Sequence, residues 1–126
     1  MQIPGLYIGY TEEKGRGVFT ATDIHEGDTI EICPVIELPA AEMPVIHKTF
    51  LHDYYFVWNE DEKSGAIALG FGSLYNHEVF PNADFIVDYE QKVIEIVAIR
   101  DINAGSEITI NYHGESGDDE KLWFSL

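Results

Sequence analysis

Cationic side chains are scarce in this chain, with seven Lys and Arg against 23 Asp and Glu in 126 residues. The formal net charge is −16 and the pI is about 4.3. Such a balance repels nucleic-acid phosphates and anionic membrane surfaces, so no direct nucleic-acid or membrane partner is expected. It attracts basic partners such as Lys-rich tails, and it serves solubility equally well. Cysteine is nearly absent. A single Cys33 excludes an internal disulfide and any multi-cysteine zinc site, and is expected to be a small buried hydrophobe. No apolar run reaches the length of a membrane helix. The opening "MQIPGLYIGYTEEK" has neither the basic nor the apolar region of a signal peptide. The expected location is therefore the cytoplasm, or the nucleus in a eukaryotic source or host, and not the exterior. No linker or low-complexity stretch divides the chain, so residues 1–126 are expected to form one domain with a single core.

Several common catalytic patterns are missing as well. "GFGS" lacks the third glycine and following helix of a dinucleotide loop, and "HGESG" lacks the order of a nucleophile elbow. His47 and His52 are five residues apart and do not stack as two ligands on one helix face, and the other histidines are scattered, so no metal site is expected.

What is present is a series of short strands. "LYIGY", "GVFTA", "TIEIC" and "PVIEL" come early, and "AIALGF", "DFIVDY", "VIEIVAI" and "EITINY" come late. They are β-branched and aromatic, and turn residues separate them. "DFIVDYEQKVIEIVAI" reads as a hairpin turning near Glu90 to Lys92. One helix is expected from about Ala41 to Trp58. Pro44 suits a first turn, and Ile46, Phe50 and Tyr54 share one face, as do Leu51, Tyr55 and Trp58. "TDIHEGDTIEI" (22–32) echoes "RDINAGSEITI" (100–110). In each, an Asp can bond local backbone amides, and Gly27 or Gly105 can take positive φ before a strand.

One stretch resists the strand pattern. "GSLYNHEVFPNADF" (72–85) places Asn76, His77, Pro81 and Asn82 in the most apolar half of the chain. Pro removes a ladder donor, and Asn-His interrupts the apolar run. Three segments taken together account for it: "KGRGVFTATDIHEGDTI", "LGFGSLYNHEVFPNADF" and "AIRDINAGSEITINYHGE". Their motifs are Gly15 and Gly17, Asn76-His77 followed by Pro81-Asn82, then Glu107-Ile108-Thr109 and Tyr112. In order and spacing this set resembles the SET-domain protein-lysine methyltransferases, and the chain is similar to their minimal stand-alone, viral-like members. Gly-x-Gly alone is weak, whereas the later motifs are specific.

The resemblance implies a mainly β, β-clip fold of several small sheets, with one insert helix and a knot-like C-terminal crossing. It implies S-adenosyl-L-methionine on one face and a substrate lysine entering from the other. Gly15, Arg16, Gly17, Asn76 and His77 would meet the cofactor, and Tyr112 would be the catalytic tyrosine beside it. Tyr54, Tyr55 and Tyr75 are candidates for the lysine channel, with core packing as the alternative for Tyr54 and Tyr55. Trp123 folds over the cofactor as a lid or packs as an ordinary tail. The chemistry suits these residue types. Glycine lets backbone approach a ligand closely, and amides satisfy polar groups in a buried cleft. A dry channel beside a positive sulfonium lowers a lysine pKa from its usual ~10.4, freeing the amine for in-line attack on the methyl. The implied function is methylation of a Lys-containing basic protein, a histone or histone-like tail foremost. The alternative is a catalytically weak SET-like module that binds a basic peptide. Two departures stand out: Glu78-Val79 replaces the usual Ser-Cys, and Asn111 replaces an Asp. With a single Cys in the chain, no cysteine-rich flank is expected.

Overall fold

The structure is a computed structural model and describes residues 1–59 and 63–112. Its strands are β1 (Leu6–Thr11), β2 (Gly15–Thr20), β3 (Thr29–Leu38), β4 (Tyr55–Trp58), β5 (Ser64–Ala68), β6 (Asn76–His77), β7 (Ala83–Asp88), β8 (Val93–Ala98) and β9 (Glu107–Ile110). They form two sheets. One runs β1-β2-β9-β6 and the other β4-β5-β3-β8-β7. Side chains of Val18, Ile24, Ile30, Ile94, Ile96, Ile108 and Ile110 are buried in a core that both sheets share. Among the described residues no helix is long and apolar enough to cross a membrane.

The expected strands form, with one revision. "TIEIC" and "PVIEL" fuse into the single ten-residue β3. Pro34 sits within it, opposite Val93, and its carbonyl accepts from Leu69 N at 2.8 Å. The hairpin of β7 and β8 pairs Ala83 with Ala98 through Asp88 with Val93. Its turn closes where expected: Lys92 takes φ 58° and Gln91 N donates to Asp88 Oδ1 at 2.9 Å.

The long helix does not form. Residues 41–58 instead hold a four-residue α1 (Met43–Ile46), a separate 3-10 turn (Phe50–Asp53) and then β4. Thr49 ends the first segment and starts the second: its hydroxyl donates to Ile46 O and accepts from Leu51 N. Beyond it, "YYFVW" is aromatic and β-branched, a composition that suits a pleated half-buried surface. Pairing of Tyr55 with Ile67 through Trp58 with Ser64 overrides the helical spacing. That spacing leaves one trace, the stacked rings of Phe50 and Tyr54 at 6.1 Å.

The sequence echo proves to be more than two local turns. Asp23 Oδ1 accepts from Ala104 N, and Asp101 Oδ1 accepts from Glu26 N, both at 2.8 Å. Ile24 and Ile102 exchange both backbone hydrogen bonds at 2.8 Å. Each Asp caps the other's turn, and Gly27 and Gly105 both take φ 91°. The clasp locks the turn that launches β3 to the turn that launches β9.

Candidate active site

β9 is the rod on which the site is built. Its one edge pairs antiparallel with β2, Val18 opposite Ile108 and Phe19 opposite Glu107. Its other edge pairs parallel with the two-residue β6, Asn76 opposite Thr109 and His77 opposite Ile110. β6 is too short to cover that edge, and side chains complete it. The Asn82 amide donates to Glu107 O at 2.8 Å and accepts from Thr109 N at 2.9 Å, so it acts as one more peptide unit of the sheet. His77 Nδ1 accepts from Tyr112 N at 3.0 Å, which leaves the ring proton on Nε2. The amides and imidazole that interrupt the apolar run are thus the partners of β9.

Asn76 reaches further. Its Nδ2 donates to Arg16 O at 2.9 Å and to the Glu107 carboxylate at 2.7 Å, engaging both amide hydrogens. This pairing leaves no room at Gly17, where a Cβ would lie 2.3 Å from Glu107 Oε2 and 2.8 Å from Asn76 Nδ2. Gly15 is glycine for a different reason: its φ is +71° and open space surrounds a Cβ there. Glu78 forms an ion pair with Lys14, whose ammonium also lies 3.9 Å from Glu107 Oε1.

These residues border a cleft of about 350 Å³ lined by Tyr10, Lys14, Arg16, Asp53, Tyr54, Ser73, Leu74, Asn76 and Tyr112. Its size falls in the range of small-molecule sites, ~300–1,000 Å³. Tyr112 stands on the wall. Its hydroxyl donates to the Tyr75 carbonyl at 2.7 Å, and its ring lies 5.1 Å from that of His77. Burial, then Tyr54, Asp53 and Glu107 nearby, push its pKa well above the usual tyrosine value, so the phenol stays protonated at neutral pH.

Of the residues singled out from sequence, Arg16, Asn76, Tyr54 and Tyr112 line this cleft, and Gly15, Gly17 and His77 build its frame. Tyr55 lies elsewhere: it lines a separate apolar cavity with Met43, Pro44 and His47, and its hydroxyl is 3.1 Å from His47 Nδ1. Tyr75 turns its ring into the core, 1% exposed, and its carbonyl accepts from the Tyr112 hydroxyl. Trp123 lies outside the described residues. Lys14, Asp53 and Ser73 went unnoticed in the sequence, because nothing in their local patterns marks them. Glu107 was visible within its motif, but its bond to Asn76 was not.

The cleft also fits the cofactor that the motifs imply. Lys14 is taken up by its pair with Glu78, so Arg16, one of the few cations in the chain, is the cleft residue matched to an amino acid's carboxylate. The peptide at 15–17 carries no side chain large enough to block its approach, apart from Arg16.

Comparison with known proteins agrees. The SET domain signature matches residues 15–113. A histone-lysine N-methyltransferase specific for H3 lysine-37, from Schizosaccharomyces pombe strain 972, is 37% identical over 120 residues, 94% of this chain and 76% of that one. A Plasmodium falciparum protein assigned as a histone methyltransferase superposes with a TM-score of 0.66 at 31% identity, over 86% of this chain and 92% of that one. The Polycomb repressive complex 2 of Chaetomium thermophilum, autoinhibited and bound to S-adenosylmethionine, shares the fold with a TM-score of 0.72 at 24% identity. That match covers 86% of this chain but 15% of the larger one. With the motif residues gathered around one strand and the signature spanning most of the sequence, the chain belongs to the SET-domain family of protein-lysine methyltransferases.

Proposed function

We propose that this chain transfers a methyl group from S-adenosylmethionine to a lysine of a basic protein, a histone or histone-like tail being the leading substrate. The observation that carries the proposal is the Tyr112 hydroxyl, tied to the Tyr75 carbonyl at 2.7 Å on the wall of the cleft that Arg16 and Asn76 line. When bound, the cofactor supplies an electrophilic methyl on a sulfonium. Arg16, Asn76 and the backbone at 15–17 would hold it, with His77 fixing the backbone of Tyr112 just past β9. The Tyr112 hydroxyl donates its proton to a carbonyl, so its oxygen would meet an incoming amine as an acceptor. A phenol with a raised pKa does not serve as a base at neutral pH, so the role is positioning and not proton removal. The rings of Tyr54 and Tyr112 exclude water from the amine and hold a cationic product only weakly. Asp53, in the same cleft, attracts the lysine. The histone preference is supported by the acidic balance of the chain and by the named substrates of the S. pombe and P. falciparum relatives.

The test is methyl transfer from isotope-labelled cofactor to histone H3 and to other basic proteins, with Tyr112→Phe as the comparison. The wild type is expected to label lysine. Tyr112→Phe is expected to lose turnover on the order of 10²-fold, as misplacement of a reactant does, with calorimetric cofactor affinity nearly intact. Cofactor binding without transfer to any protein would instead favour a peptide-binding module.

A further inference from the structure

Glu31 is the one buried charged side chain among the described residues, 2% exposed in the middle of β3. Its carboxylate accepts three hydrogen bonds. Oε1 accepts from the Tyr75 hydroxyl at 2.8 Å, and Oε2 from Gln2 Nε2 at 2.8 Å and Phe71 N at 3.0 Å. Burying a carboxylate is costly, and a core of equal volume made of apolar groups would avoid that cost. The partners indicate what it does there. Phe71 and Tyr75 bracket the loop that leads into Asn76 and His77. The loop is seated on β3 without slack: a Cβ on Gly70 would lie 2.3 Å from Glu31 Oε2, and one on Gly72 would lie 2.9 Å from Cys33 Sγ.

We propose that Glu31 is a positioning residue for Tyr112, acting through Tyr75. Tyr75 is held at both ends: its ring is buried to 1% exposure with the hydroxyl on Glu31, and its carbonyl receives the Tyr112 hydroxyl at 2.7 Å. The chain of contacts runs Glu31, Tyr75 side chain, Tyr75 carbonyl, Tyr112 hydroxyl. It fixes the carbonyl that takes the Tyr112 proton, and with it the direction of the hydroxyl oxygen's lone pairs. The next residue, Asn76, is already pinned to Thr109 by strand pairing, so Tyr75 is the last adjustable link before the site. The proposal rests on the positioning role of Tyr112 given above.

Tyr75→Phe cuts the link at one atom and leaves the ring and the carbonyl in place. Its kcat is expected to fall about tenfold, a fraction of the ~10² that a 1 Å misplacement costs, with KM and cofactor affinity unchanged. In the double variant with Tyr112→Phe no further loss is expected, because the link has nothing left to position. The ¹³Cζ resonance of Tyr112, assigned by its disappearance in Tyr112→Phe, should shift in Tyr75→Phe. Glu31→Gln keeps the volume and one acceptor oxygen. It provides the same readouts should Tyr75→Phe fail to fold, and is expected to show the same pattern at smaller size. A folded variant with unchanged kcat and an unmoved Tyr112 resonance would overturn the proposal. So would losses that multiply in the double variant, since they would show a merely structural role. Full turnover by Tyr112→Phe alone would instead remove Tyr112 from the reaction, and this inference with it.

Discussion

Gly15 and Gly17 share one motif and answer to different physics. At Gly15 only the backbone matters, since φ is +71° and a Cβ would meet nothing. Gly15→Ala is therefore expected to cost ~1–2 kcal/mol of stability, the penalty of the left-handed region for an L-residue. Cofactor affinity measured in the folded protein should stay close to that of the wild type. At Gly17 the backbone is ordinary and the space is full, with Glu107 Oε2 2.3 Å and Asn76 Nδ2 2.8 Å from a built Cβ. Gly17→Ala must push apart the Asn76–Glu107 pair. We expect cofactor affinity to fall about tenfold, or ~1.4 kcal/mol, by calorimetry. A melting curve and a titration on each variant suffice, and equal effects at both positions would contradict the distinction. The motif was legible in the sequence. Which glycine guards the site was not, because that depends on side chains about 60 and 90 residues away.

Among the elements, the clasp between the two echoing turns is the feature with the clearest energetic signature. Asp23 and Asp101 each hold a backbone amide of the opposite turn at 2.8 Å. Removing either should cost ~1 kcal/mol, the usual net worth of such a bond. Both caps brace one Ile24–Ile102 bridge, so the losses should not add. Chemical denaturation of Asp23→Ala, Asp101→Ala and the double variant tests this, and strict additivity would mean two independent turns. From the sequence the two turns were visible, and local capping was the natural expectation. Reciprocal capping requires the turns to meet, and only the packing of β3 against the β9 approach makes them do so. The segment 41–58 carries the same lesson in reverse. Its helical spacing is real, yet "YFVW" has an open strand edge at β5 available, and cross-strand pairing prevails over periodicity.

Two expectations belong to the whole molecule. The net charge of −16 acts at long range on a basic substrate. The KM for a basic peptide should rise with ionic strength as the screening length shortens to ~8 Å at physiological salt. A KM independent of salt would reduce the charge to a matter of solubility. Alkaline pH should unfold the chain through its buried acids. Burial, with Glu31 beside it, pushes the Cys33 thiol from its ordinary 9.0 up to about 12. Burial likewise raises Tyr75, with Glu31 adding, and Tyr112, both from an ordinary 10.0. Each stays protonated when folded while its unfolded counterpart ionises, so the unfolded state binds fewer protons. Stability is then fully present below about pH 9 and falls above it, by ~1.4 kcal/mol per pH unit for each group in its window. Denaturant titrations from pH 8 to 11 read this slope, and Tyr75→Phe should flatten it above pH 10.

The sequence by itself determined the class of the molecule. Alternating β-branched and aromatic segments wrote the strands, and the spaced motifs at Gly15, Asn76-His77 and Glu107 to Tyr112 wrote the family, because both are local patterns that survive without knowledge of contacts. It also marked Cys33 as a small buried hydrophobe, and the thiol is buried. The motif marked Tyr112, and the tertiary structure decided where the other candidate tyrosines lie. Tyr54, Tyr55 and Tyr75 look alike in sequence, yet one lines the cleft beside Tyr112, one faces a separate cavity and one is clamped in the core by Glu31. An aromatic side chain is apolar over most of its surface and polar at one atom. Its role is set by where that atom finds a partner, and here each partner comes from a distant segment that only the closed fold brings into reach.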